Sequence, residues 1–216
     1  MKKVKVGILI SGRGSNMSAL IAAAKAEDFP AEIALVIANV PDAGGLDAAR
    51  AEGVTAIAVD SRPFGKDRQA HEREMDALLR TAGVQVICLA GFMRLLTDGF
   101  VARWRDRLVN IHPSLLPAFP GLDTHARALD AGVLIAGCTV HFVRAAMDAG
   151  PIIVQAAVPV LPGDDAAKLA ARVLAAEHQA YPLALRLIAE GRVRVAGERV
   201  EITGADPPSR LIWRPA

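Results

Sequence analysis

Short β-branched runs alternate along this chain with longer Ala/Leu/Arg/Glu segments of helical spacing, and that alternation limits the fold more than any other feature. It is the pattern of a mostly parallel sheet covered on both faces. Strands are expected near 4–10, 32–38, 54–58, 84–90, 107–111, 135–142 and 152–158. Helices are expected near 15–26, 44–52, 66–82, 97–104, 122–131 and 165–190, with glycines at 53, 83 and 191 placed as helix C-caps. After Gly191 the alternations Arg192-Val193-Arg194-Val195 and Arg199-Val200-Glu201-Ile202 read as a terminal hairpin. The expected class is therefore α/β: a Rossmann-like, mostly parallel twisted sheet of about seven strands with helices on both faces.

The chain has no internal repeat, low-complexity tract or linker, so its 216 residues are read as a single domain. Within it an amino-terminal half spans about 1–105, a second half about 106–203, and a tail 204–216. Lys plus Arg is 25 against 23 for Asp plus Glu, and a net charge of +2 leaves no broad electrostatic footprint for nucleic acid. Any anion must be met by local groups. Cys88 and Cys138 sit in apolar runs and read as reduced, small hydrophobic residues rather than a disulfide or metal ligands. Val6 to Ile10 is too short for a signal segment, and no apolar stretch reaches the ~18 residues that span a bilayer. A cytoplasmic protein with no membrane partner is expected.

The segment Val109-Asn110-Ile111-His112-Pro113-Ser114-Leu115-Leu116-Pro117 holds the densest chemical information. Side chains alternate along a strand, so Asn110 and His112 face one way while Val109 and Ile111 are buried behind them. Pro113 cannot extend the ladder, which leaves His112 at the carboxyl end of its strand, where open α/β sheets bind ligands. Asp148, before the turn Gly150-Pro151, can orient the imidazole and favour its charged form, and the Asn110 amide supplies a second donor to the same oxygen. Such a set suits acyl transfer without a covalent intermediate, since only Ser114, beyond Pro113, lies near as a nucleophile. The loop Pro117 to Gly121 follows directly and is placed to cover this site.

The first strand ends in Ser11-Gly12-Arg13-Gly14-Ser15-Asn16 and runs straight into a helix pattern. Backbone N–H groups at that helix start, with the Ser15 hydroxyl and Asn16 amide, can hold a phosphate; the plainer alternative is a helix capped by Ser or Asn. A third glycine is lacking, no acid ends the second strand, and no Gly-Lys-Ser/Thr follows, which argues against a dinucleotide or Walker A site. His71, His125, His141 and His178 show no metal-ligand spacing, so no metal is expected. His141 could line the pocket or be structural, and Glu177-His178, inside an Ala/Leu helix, reads on pattern alone as a solvated face.

Taken together, Ser11–Asn16, Leu89-Ala90-Gly91-Phe92-Met93-Arg94, Asn110–Pro117, Pro120-Gly121 and His141-Phe142-Val143 through Asp148-Ala149-Gly150-Pro151 closely resemble the phosphoribosylglycinamide formyltransferase family, over roughly residues 4–193. The resemblance implies transfer of a formyl group from 10-formyltetrahydrofolate, as co-substrate, to the amine of 5-phosphoribosylglycinamide in purine synthesis. It implies that Asn110, His112 and Asp148 are catalytic, and that Gly14, Ser15 and Asn16 hold the substrate phosphate. It further implies that Glu177 contacts the ribose, against the solvated reading. Met93, Arg94, Leu95 and Leu96, with Asn110, match the folate pocket, and Arg68 and Arg94 are available to the folate glutamate. Arg13 lies at a variable position, the stretch before Arg68 aligns loosely, and the tail with Trp213 has no counterpart. The expected partners are these small molecules, with the chain a monomer or homodimer. The alternatives are a formyltetrahydrofolate hydrolase or, from another class, a non-catalytic nucleotide-binding module; a related methionyl-tRNA enzyme would need a further RNA-binding domain.

Overall fold

The computed structural model of the chain describes residues 3–204. The expected tail with Trp213 therefore lies outside the described residues. The sheet has seven strands in the order β3-β2-β1-β4-β5-β6-β7, the mostly parallel α/β arrangement that the alternation of the sequence implies. The chain divides into two compact units, residues 1–110 and 111–216, with the division falling inside β5.

The first unit contains β1 (Val4–Ile10), α1 (Ser15–Ala24), β2 (Ala31–Ala38), α2 (Gly44–Ala51), β3 (Ala56–Ala58), α3 (Arg68–Thr81), β4 (Val86–Leu89) and α4 (Asp98–Arg103). β1 runs parallel to β2 on one side and to β4 on the other, and β2 runs parallel to β3. These strands are apolar on both faces: Val6, Ile8, Leu9 and Ile10 of β1 are all fully buried. Burying each such side chain contributes roughly 1.5–3 kcal/mol, which is why the runs do not alternate with polar residues. From β1 the chain winds outward through β2 and β3, then returns to place β4 on the opposite side of β1. The loops leaving β1 and β4 thus diverge at neighbouring strand ends, a topological switch point of the kind that binds ligands.

β5 (Leu108–His112) begins in the first unit, and the second continues with α5 (Thr124–Asp130), β6 (Ile135–Phe142), β7 (Ile152–Pro159), α6 (Ala166–Ala189) and the hairpin β8 (Val193–Ala196) with β9 (Arg199–Ile202). β6 and β7 are antiparallel, so the parallel pattern ends with them. The 24-residue α6 packs on β6 and β7 with Leu169, Val173, Ala180, Tyr181 and Ala184 fully buried. Element edges differ from the sequence reading by a few residues. α3 starts at Arg68 instead of 66, because the Asp67 carboxylate accepts the Ala70 N–H and caps it there; Arg62–Phe64 forms a separate 3-10 turn. Gly53, Gly83 and Gly191 do follow the ends of α2, α3 and α6. Among the described residues no helix is long and apolar enough to cross a membrane.

Candidate active site

Two loops meet at the switch point of the first unit. Ser11 N–H donates to the Gly91 carbonyl (3.1 Å), Met93 N–H donates to Ser11 Oγ (2.8 Å), and Ser11 Oγ donates to Asn39 Oδ1 (2.5 Å). Ser11 therefore fastens the loop after β1 to the loop after β4. α1 starts immediately beyond, and its N-cap is Gly14, in the left-handed region (φ 71°), with no side-chain cap bond. The capping role considered for Ser15 and Asn16 is thus not taken: Ser15 is exposed and Asn16 is 8% exposed. The first turn carries no acid of its own, so nothing within α1 offsets the positive end of its dipole at this helix start. On the β4 side, Met93 (71%) and Leu95 (60%) are exposed apolar side chains, with Arg94 and Leu96 half-buried. Arg68, at the start of α3, donates from Nη1 to the Leu95 carbonyl (3.3 Å).

In the second unit the chemistry gathers around Asp148. β5 ends at His112, as Pro113 requires, and the burial along Leu108–His112 leaves only Asn110 half-open, two residues from His112 on the same side of the strand. The His112 imidazole is buried, and each ring nitrogen has an oxygen acceptor: Nε2 donates to the Phe119 carbonyl (3.0 Å), and Nδ1 lies 3.4 Å from Asp148 Oδ2. Asp148 Oδ2 also accepts the Gly121 N–H (2.9 Å), and Oδ1 lies 3.9 Å from His141 Nε2. His141 Nδ1 donates to the Phe142 carbonyl (3.0 Å). Burial holds His141 below the ordinary histidine value, and the charge of His112 pushes the same way, against the opposing pull of the Phe142 carbonyl and Asp148.

Local sequence explains why these groups converge. A register shift between Val140 and His141 bulges the β6–β7 ladder and re-aims the end of β6. Gly150 presses against that strand end so closely that a Cβ there would lie 1.7 Å from the Phe142 carbonyl oxygen, so only glycine lets the turn carrying Asp148 approach. Across from it, Phe119 (φ 52°) and Asp123 (φ 55°) are left-handed, a conformation non-glycine residues rarely hold. Ser114 Oγ donating to the Ala118 carbonyl (2.6 Å) and Arg127 Nη1 donating to the Leu122 carbonyl (3.2 Å) keep that loop in place.

Glu177 is 7% exposed on α6, close enough to Cys138 for its charge to add to the burial that pushes that thiol up to about 12. The solvated face read from the helix pattern is therefore corrected. An Ala/Leu helix 24 residues long packs more than one stripe, and periodicity alone did not show which stripe faces inward. Cys88 and Cys138 are both buried, and neither is in a disulfide. The pattern did not reveal the Phe119 carbonyl, the Gly121 N–H or the need for Gly150; these are main-chain features that no side-chain motif encodes.

The formyl transferase family model matches residues 4–185. The chain belongs to the formyl transferase family. This formyl transferase is 42% identical to the phosphoribosylglycinamide formyltransferase of Escherichia coli (strain K12), over 89% of this chain and 90% of that protein. It is 50% identical, over 90% of its own length, to the trifunctional purine biosynthetic protein adenosine-3 of Drosophila pseudoobscura pseudoobscura, but spans only 14% of that longer protein. Among solved structures, glycinamide ribonucleotide transformylase 1 from Symbiobacterium toebii superposes with a TM-score of 0.89 at 47% identity, covering 93% of this chain and 94% of that one. A formyltetrahydrofolate deformylase from Pseudomonas syringae superposes with a TM-score of 0.85 at 26% identity, covering 93% of this chain and 66% of that one.

Proposed function

We infer that this formyl transferase moves the formyl group of 10-formyltetrahydrofolate to the primary amine of 5-phosphoribosylglycinamide, a step of purine biosynthesis. The observation that carries the reading is the His112 imidazole, held between two acceptors at the end of β5 in a chain that matches the Escherichia coli enzyme over nearly its whole length. In this reading the amine nitrogen attacks the formyl carbon and the carbonyl electron pair moves to oxygen. The Asn110 amide and His112 Nε2 donate to that oxygen, Nε2 exchanging the Phe119 carbonyl for it, while Asp148 balances the imidazolium. As the carbon–N10 bond breaks, the proton lost by the amine is delivered to N10, with Asp148 or water as carrier. Formyl transfer needs no nucleophile on the protein, and a Ser or Cys would add nothing to this arrangement.

The remaining residues take binding roles. Gly14, Ser15 and Asn16 meet the substrate phosphate at the start of α1, whose first turn carries no acid. Glu177, an acceptor on α6, suits ribose hydroxyls. The exposed side chains of Met93 and Leu95, with Leu96 and Asn110, offer apolar surface and polar edges to the folate ring, and Arg68 and Arg94 suit its glutamate carboxylates. Both substrates are charged and water-soluble, so the reading assigns the protein to the cytoplasm.

A second reading, hydrolysis of the formyl-folate by water, is favoured by the similarity to the Pseudomonas deformylase. One assay separates the two: deformylation of 10-formyltetrahydrofolate or a 10-formyl-dideazafolate by purified protein, with and without the amine substrate. Deformylation that depends on the amine supports the transferase. An equal rate without it would make the protein a hydrolase, and no reaction under either condition would refute both.

A further inference from the structure

Asp148 faces two imidazoles, and only one of them is used in the reaction described above. Both rings are held in the same way. His112 and His141 each donate one N–H to a main-chain carbonyl, Phe119 and Phe142 respectively, and each turns its other nitrogen toward a different oxygen of the same carboxylate. A carbonyl oxygen can only accept, so the tautomer of neutral His141 is fixed: Nδ1 carries the hydrogen and Nε2 presents its lone pair toward Asp148 Oδ1. The β6 bulge sets the ring there, and His141 is 2% exposed, so Asp148 Oδ1 faces a buried imidazole at 3.9 Å. Asp148, from the loop before β7, and His112, from β5, both act on His141 through their charge.

We propose that His141 is a positioning residue for the catalytic pair, a second imidazole that walls Asp148 Oδ1 and so leaves the carboxylate charge directed through Oδ2 to His112. This inference rests on the role given to His112 and Asp148 above. While His141 is neutral it offers Asp148 no proton, and His112, at 3.4 Å against 3.9 Å, is the ring that the carboxylate holds. Were His141 protonated, the carboxylate would be shared between two cations and its hold on His112 would weaken.

Two near-isosteric substitutions divide the ring's functions. Asparagine places an amide nitrogen near Nδ1, keeping a donor for the Phe142 carbonyl and deleting the group that faces Asp148. Glutamine places its amide near Nε2, keeping a polar group toward Asp148 and losing the donor to Phe142. With the ring gone, water reaches Oδ1 in H141N and screens the carboxylate, so the titration midpoint of His112, followed by NMR of the ring resonances, should fall by about half a pH unit, while H141Q stays near the parent. In the transfer assay H141N should lower kcat several-fold with KM unchanged, and H141Q should restore most of it. A residue that merely satisfied the Phe142 carbonyl would give the reverse order, with H141N silent and H141Q damaging; that order, or no change in either variant, overturns the proposal.

Should the variants not fold, the unaltered protein supplies the test. Rings sharing one carboxylate titrate as a coupled pair, so the His141 resonances must show an inflection at the pH where His112 titrates. The absence of that inflection overturns the proposal as well. None of these NMR readouts requires turnover: coupling without formyl transfer would refute the function, and formyl transfer without coupling would refute the role of His141.

Discussion

Replacing Gly150 by alanine adds one methyl group, yet it is the change that tests most directly how Asp148 is placed. The new Cβ would lie 1.7 Å from the Phe142 carbonyl oxygen and 2.8 Å from its carbonyl carbon, both main-chain atoms that cannot rotate away. Ordinary contact begins at 3.4 Å, so the turn and the strand must part by about 1.7 Å at this point. Gly150 is not left-handed, so alanine brings no conformational penalty of its own and the collision is the whole effect. Asp148 lies two residues upstream, and its 3.4 Å approach to His112 Nδ1 has little slack before the pair is lost. A displacement of about 1 Å in a catalytic group costs on the order of 10²-fold in rate, so, with Asp148 in the role proposed above, kcat in G150A should fall by about that factor. The assay is steady-state formyl transfer, run beside a thermal melt of the same preparation. A folded G150A enzyme with parental kcat would refute the claim that this close approach positions Asp148.

Further outcomes follow from the same geometry. H112A and D148A should each lower kcat by about 10²–10³, because each removes a preorganised part of the proposed oxyanion site; steady-state kinetics at saturating substrates checks this. Cys138, its thiol pushed up to about 12 by burial and by the charge of Glu177, should resist iodoacetamide at pH 8, as should buried Cys88, and both should label once the chain is unfolded in guanidinium; mass spectrometry reads the difference. His125, His141 and His178 are all held below the ordinary value of 6.5, chiefly by burial. The unfolded chain therefore binds protons more readily than the folded one, so the stability they contribute is full above about pH 6.5 and is lost as the pH falls through their folded values. Urea melts at pH 7.5, 6.5 and 5.5 should show declining stability, and H125Q should reduce the decline.

Much of the fold was legible because strand and helix follow from short-range chemistry. The apolar run Val6–Ile10 can only be a strand buried on both faces, and the glycines at 53, 83 and 191 end helices wherever the chain is read. Asn110 and His112 were legible for the same reason: alternation along a strand and a proline stop are local facts. Asp148 could be named as the partner of His112, but the other groups around that pair could not. That Oδ2 takes the Gly121 N–H, that His112 Nε2 is met by the Phe119 carbonyl and that His141 stands beyond Oδ1 all depend on where two loops and a bulged strand end come to rest. Glu177 illustrates the limit from the other side: its helix was evident, but whether it faced solvent was decided by packing against β6 and β7. By itself, then, the sequence determined the elements, their order and the residue types able to stabilise an oxyanion, because these are set by neighbours within a few positions. Only the tertiary structure decided which backbone carbonyls and amides surround Asp148 and His112, because contacts between residues far apart in the chain leave no periodic trace in the sequence.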